Sequence, residues 1–113
     1  MKKVECIIRP ETFRPLLEKL EKIGINGLTV SEVAGCGQQK ERQGLFRGNT
    51  FDIKLLPKIK VEMVVETEFV EEVVAIIQDA CNTNIVGDGK IFIYTIENAI
   101  RIRTGEQGKQ ALS

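Results

Sequence analysis

Histidine and tryptophan are absent from this sequence of 113 residues, and tyrosine occurs once. Without histidine, the side chain that most often serves as general base and metal ligand near neutral pH is missing. The three cysteines, Cys6, Cys36 and Cys81, are odd in number, widely spaced and form no Cys-x-x-Cys pair. That excludes a disulfide framework and the usual zinc patterns, and leaves Cys6 and Cys81 as small core hydrophobes. No cysteine stands beside a base and no cluster of carboxylates occurs, so no catalytic set is assembled and the chain reads as a non-enzyme. No apolar run approaches the roughly 20 residues that span a bilayer. Met1-Lys2-Lys3 enters a strand pattern directly, without the apolar region of a signal peptide, which points to the cytoplasm. Sixteen basic and sixteen acidic residues cancel, so bulk charge recruits neither nucleic acid nor membrane. An RNA-recognition sheet is excluded by the lack of an aromatic platform.

What the chain does carry is a succession of short periodic segments, enough for one domain over 1–113 with a core of its own. Lys3 to Arg9 alternates as a strand. Thr12 stands where it can cap a helix whose apolar positions are Phe13, Leu16, Leu17, Leu20 and Ile23, with Gly24 as its stop. Leu28 through Val33 reads as a second strand, ending in Gly35-Cys36-Gly37. From Gln38 to Leu55 the periodicity fails. Loops of that length in a small domain are usually functional, and Leu45, Phe46, Phe51 and Ile53 supply apolar anchors for a contact arm. Pro57 closes the loop, Lys58 to Glu66 forms a third strand, and Thr67 stands ready to cap a second helix with Glu68, Glu71 and Glu72 in its first turn. A fourth strand runs from Ile91 to Ile96. Ile100 to Arg103 adds a short extended piece before a polar, frayed tail.

Val86-Gly87-Asp88-Gly89-Lys90 lies between the second helix and the last strand. Its glycines reach φ > 0 and bare backbone N–H groups, and Lys90 adds a cation at the exit. Arg101 and Arg103, at alternate positions of an extended segment, would point to one side. Two readings fit: a concavity that holds the phosphates of a nucleotide, or a hairpin turn followed by a solvated basic strand. A Walker-type loop is excluded, since Asn84 and Ile91 stand where that motif needs Gly and Ser or Thr. The element order, β-α-β-β-α-β, is the split βαβ arrangement, an α+β ferredoxin-like sandwich with both helices on one face of an antiparallel sheet. The other face is left to be covered by further copies in a closed cyclic oligomer.

The chain resembles the PII signal-transduction family over essentially its whole length. The resemblance rests on Met1 through Glu5, Thr29 through Val33 and Ile100 through Gly105, and most specifically on Leu56-Pro57-Lys58-Ile59-Lys60-Val61-Glu62 and Gly87-Asp88-Gly89-Lys90-Ile91-Phe92. It implies a cytoplasmic homotrimer that senses nitrogen, carbon and energy status. It also implies a T-loop at about 37–55, a B-loop at about 82–90 and a C-terminal tail at about 104–113. ATP or ADP would sit between adjacent subunits, with Gln38, Gly87, Asp88, Gly89, Lys90, Arg101 and Arg103 around the phosphates and Thr29, Gly35, Cys36, Gly37 and Val64 near base and sugar. 2-Oxoglutarate would be held by Gln39, Lys40, Glu41 and Lys58, with Gln39 a ligand of Mg. Arg47 and Phe51 of the T-loop would contact the partner, for which an ammonium transporter is the family's commonest choice.

The chain departs from the family's pattern at several of these positions. Gln38 stands where many members have Arg, Glu41 replaces a glycine beside the oxoglutarate pocket, and Asn84-Ile85 replaces Gly-Lys. An accessory or allosteric ferredoxin-like domain that senses nucleotide alone is therefore the alternative. Phe46 and Phe51 replace tyrosines, the second at the family's nucleotidylation site, and phenylalanine has no oxygen to modify. Asn49 likewise replaces a serine that other members phosphorylate, while Thr50 keeps a hydroxyl.

Overall fold

The structure is a computed structural model, and the residues it describes are 1–36 and 55–112. The arm expected from Gln38 to Leu55 lies, apart from Leu55, outside them. Among the described residues are four strands, β1 (Lys2–Ile8), β2 (Thr29–Gly35), β3 (Leu56–Val65) and β4 (Gly89–Thr95), and two α-helices, α1 (Phe13–Lys22) and α2 (Val70–Cys81). The sheet order is β2-β3-β1-β4, every neighbouring pair antiparallel. This is the ferredoxin-like split βαβ sandwich that the element order predicts. No helix is long and apolar enough to cross a membrane among these residues.

Alternation within the strands decides which face carries the core. Val4, Cys6 and Ile8 of β1 and Val61, Met63 and Val65 of β3 project to one side, where Leu16 and Leu20 of α1 and Val73, Ile77 and Cys81 of α2 cover them. Each fully buried Leu or Ile contributes about 1.5–3 kcal/mol of transfer free energy. The opposite face carries Lys3, Glu5 and Ile7 on β1, Lys60, Glu62 and Val64 on β3, and Lys90, Phe92 and Tyr94 on β4, as the register requires. Phe92 and Tyr94 are exposed there. Lys3 Nζ lies 3.0 Å from Glu62 Oε1 and 4.6 Å from the Tyr94 ring centre.

Several local expectations are corrected. Thr12 and Thr67 do not cap the α-helices through their side chains, because a 3₁₀ turn precedes each helix, at Pro10–Thr12 and Thr67–Phe69. The Thr12 hydroxyl instead donates back to the Arg9 carbonyl at 2.9 Å, and Thr67 Oγ1 accepts from the Met1 amino group at 3.3 Å. Pro57 does not close the loop outside the sheet; it is the second residue of β3, opposite Ala34.

The extended piece expected over Ile100 to Arg103 is a hairpin end. Only Ile100 forms a bridge, to Gln107, while the Arg101 N–H donates to the Glu106 carbonyl at 2.9 Å. Gly105, at φ +76, makes the reversal possible. Up to Leu112 the tail is folded rather than frayed: Gly108–Leu112 is a 3₁₀ turn, Gly108 N–H donates to the Ala99 carbonyl at 3.0 Å, and Lys109 pairs with Glu66 at 3.8 Å.

Candidate functional site

Gly87-Asp88-Gly89 sits at the end of the sheet where β1 gives way to Arg9. Gly89 pairs with Ile8, and at φ +116 a Cβ on it would lie 1.8 Å from the Ile7 carbonyl oxygen. Only glycine permits the strand to start that close. The rest of the turn is tied down by side chains. Asp88 Oδ1 accepts from Arg9 Nε at 3.0 Å and from the Thr83 hydroxyl at 2.5 Å, and its Oδ2 accepts the Thr83 N–H at 2.6 Å. Arg9 Nη2 also donates to the Val86 carbonyl at 2.9 Å, and Lys58 Nζ donates to the Gly87 carbonyl at 2.6 Å. Asn84 takes the left-handed conformation at φ 64, and its N–H donates to Asn82 Oδ1 at 2.8 Å, an Asx turn that stands in for a glycine. The Thr83 hydroxyl first, then the Thr83 N–H and the Arg9 guanidinium, hold the Asp88 carboxyl far below the usual carboxylate range.

Gly35 belongs to the same end: it pairs with Leu56, and a Cβ on it would lie 3.2 Å from Lys58 Cγ. Gly35, Lys58, Gly87, Asp88, Gly89 and Lys90 are thus brought together, with Cys36, exposed, directly after β2. Thr29 begins β2, opposite Glu62, and Val64 lies opposite Lys3. Arg101 and Arg103 are not brought to the turn. They follow β4 at its far end, where the Ile96 N–H donates to the Met1 carbonyl at 3.1 Å. From Lys90 to Ile96 is about 20 Å of strand. Arg101 donates there to Glu106 Oε1 and to the Gln110 carbonyl, both at 3.1 Å. Gly37, Gln38, Gln39, Lys40, Glu41, Arg47 and Phe51 lie outside the described residues. Among those described, no group of three or more His, Cys, Asp or Glu converges as a metal site.

The sequence model of the family described as "Nitrogen regulatory protein P-II" matches residues 1–106. The chain belongs to that family. Among P-II relatives, the nitrogen regulatory protein P-II of Rhodospirillum rubrum is 48% identical over 112 residues, which cover 99% of this chain and 100% of that protein. The protein of the same description from Azospirillum brasilense is 45% identical with the same coverage. Among solved structures, the B. subtilis GlnK-ATP complex superposes with a TM-score of 0.82 at 39% identity, covering 98% of this chain and 94% of that one.

Two residues of the P-II turn were not singled out from sequence, Arg9 and Thr83. Arg9 reads as the polar end of an alternating strand, and Thr83 as an ordinary loop residue. The available signal was chemical: an aspartate between two glycines needs partners for its carboxylate, and a strand-ending arginine before Pro10 is one candidate donor.

Proposed function

We propose that this P-II chain is a trimeric, non-enzymatic sensor that binds ATP or ADP between neighbouring copies. The observation that carries this is the division of the site: the glycine turn with Lys90 lies at one end of the sheet and Arg101 and Arg103 at the other, so one phosphate group meets both sets only across two chains. Val86 and Ile102, 99% and 100% exposed, flank the two halves, and a neighbour seated on each would cover apolar surface that is costly to leave in water. The likeness to a GlnK-ATP complex supports the nucleotide. With ATP bound, 2-oxoglutarate would join through Lys58, Lys40 and Gln39, in a pocket that the family resemblance would have Glu41 border. Mg would be held mainly by ligand oxygens, with the Gln39 amide oxygen as the protein's contribution, which suits a cation that is commonly bound through substrate phosphates. The effectors would bias the arm at 37–55 between states that do and do not hold a cytoplasmic face of a partner such as an ammonium transporter, with Arg47 and Phe51 in contact.

The substitutions Gln38 and Glu41 favour one second reading, an accessory domain that senses nucleotide alone. Titration calorimetry separates the two. A sensor of both ligands binds 2-oxoglutarate only with ATP and Mg present and then holds ATP more tightly, because coupling is reciprocal. ATP binding with no response to 2-oxoglutarate would establish the second reading, and failure to bind ATP would overturn both.

A further inference from the structure

A carboxylate in the middle of a turn proposed to receive phosphates is unfavourable unless it is paired, and the structure shows Asp88 paired with Arg9. Both oxygens of Asp88 are engaged: Arg9 Nε and the Thr83 hydroxyl donate to Oδ1, and the Thr83 N–H donates to Oδ2. The same guanidinium spans the turn to the Val86 carbonyl at 2.9 Å, and a Cβ on Gly87 would come within 3.0 Å of Nη2. Arg9 thus lies flat against the turn, with a donor on either side of Gly87. It is anchored by its own backbone: its carbonyl accepts the Thr12 N–H at 3.1 Å and the Thr12 hydroxyl at 2.9 Å, and Pro10 follows it. Lys58 meanwhile holds the Gly87 carbonyl.

We propose that Arg9 is a positioning residue for nucleotide binding, acting through Asp88: it cancels the charge of the turn's carboxylate and fixes the Val86–Asp88 backbone, so that Lys90 faces the phosphates unopposed. Thr83 shares the task by orienting the carboxylate toward Arg9. The inference rests on the nucleotide reading given above, but its structural half stands without it. It also accounts for why an acidic residue is tolerated between Gly87 and Gly89, since a paired carboxylate repels a phosphate far less than a bare one.

The test is a double-mutant cycle on the full chain, with ATP affinity from calorimetry and amide exchange of residues 83–89 measured without nucleotide. Arg9→Gln is expected to weaken ATP binding at least tenfold and to speed exchange in the turn at least tenfold. Arg9→Lys keeps the charge but cannot span both acceptors, and should fall between wild type and Arg9→Gln in affinity. Asp88→Asn should restore most of the affinity lost in Arg9→Gln, bringing the double variant within about threefold of Asp88→Asn alone. Multiplying, independent losses would overturn the proposal, since they would mean that Arg9 acts on binding chiefly by a route other than Asp88. Unchanged turn exchange in Arg9→Gln would equally overturn it. If wild type binds no ATP, the functional reading fails, while the exchange measurement still decides whether Arg9 holds the turn.

Discussion

Gly89 and Gly24 both sit at positive φ, +116 and +88, yet they answer to different constraints. A Cβ on Gly24 meets nothing within 4 Å, whereas one on Gly89 would collide with the Ile7 carbonyl at 1.8 Å. Gly24→Ala should therefore cost only about 1 kcal/mol, the penalty of the left-handed region. Gly89→Ala must displace β4 from β1 and should cost on the order of 3 kcal/mol; urea unfolding of the two variants measures the difference. Cys6 makes a second residue-scale prediction. Burial first, and Cys81 nearby second, push its thiol from the ordinary 9.0 up to about 12. The folded state then keeps a proton that the unfolded chain has released, so stability is full below about pH 9 and declines toward pH 12. The slope is at most about 1.4 kcal/mol per pH unit. Wild type should exceed Cys6→Ala in urea midpoint at pH 8, and the gap should narrow by pH 11. A constant gap would mean that the buried thiol does not titrate in this way.

At the scale of elements, the hairpin after β4 has a bracing task beside its proposed part in nucleotide binding. Arg101 donates to Glu106 and to the Gln110 carbonyl, and so braces the 3₁₀ turn at Gly108–Leu112. Arg101→Ala should speed amide exchange over 105–112 and also weaken ATP binding by roughly 1.5–3 kcal/mol, the scale of a lost charge-assisted hydrogen bond. Arg103→Ala should weaken ATP binding similarly and leave the tail's exchange unchanged. If Arg101→Ala loosened the tail with ATP affinity intact, the arginine would be a brace alone. The hairpin escaped the sequence reading because Arg-Ile-Arg alternation is the same in a long strand and in a two-residue pairing. What distinguishes them is Thr104, whose hydroxyl accepts the Glu106 N–H at 3.1 Å around Gly105 and donates to Glu106 Oε1 at 3.0 Å.

For the whole molecule, the face of the sheet away from the helices is mixed in a way that suits contact between copies. Glu5, only 8% exposed, lies directly opposite Glu62 and Phe92, with Lys3 Nζ at 3.7 Å and 3.0 Å from the two carboxylates, and Phe92 is 42% exposed beside them. Phe92→Glu would place a third carboxylate in that row. It should convert the proposed trimer to smaller species in sedimentation velocity and abolish ATP binding with it, because each site is proposed to take groups from two chains. A Phe92→Glu protein that sediments as the wild type does and binds ATP undiminished would remove the oligomer from the model of the site.

The sequence by itself determined the element order, the two faces of β1 and β3, the helix stripes and the place of the glycine turn, because periods of 2 and 3.6 and the conformational freedom of glycine are local properties. The buried fate of Cys6 and Cys81 was legible for the same reason, since each falls on an apolar stripe. Tertiary structure alone decided that Arg9 and Thr83 hold Asp88, that Lys58 reaches the Gly87 carbonyl, and that the basic hairpin stands about 20 Å of strand away from the turn it was expected to join. Each of these depends on pairings between segments far apart in the chain, such as Arg9 with Asp88, and on where β4 ends relative to Met1. Such distances are set by sheet register and strand length acting together, which no local pattern of residue types encodes.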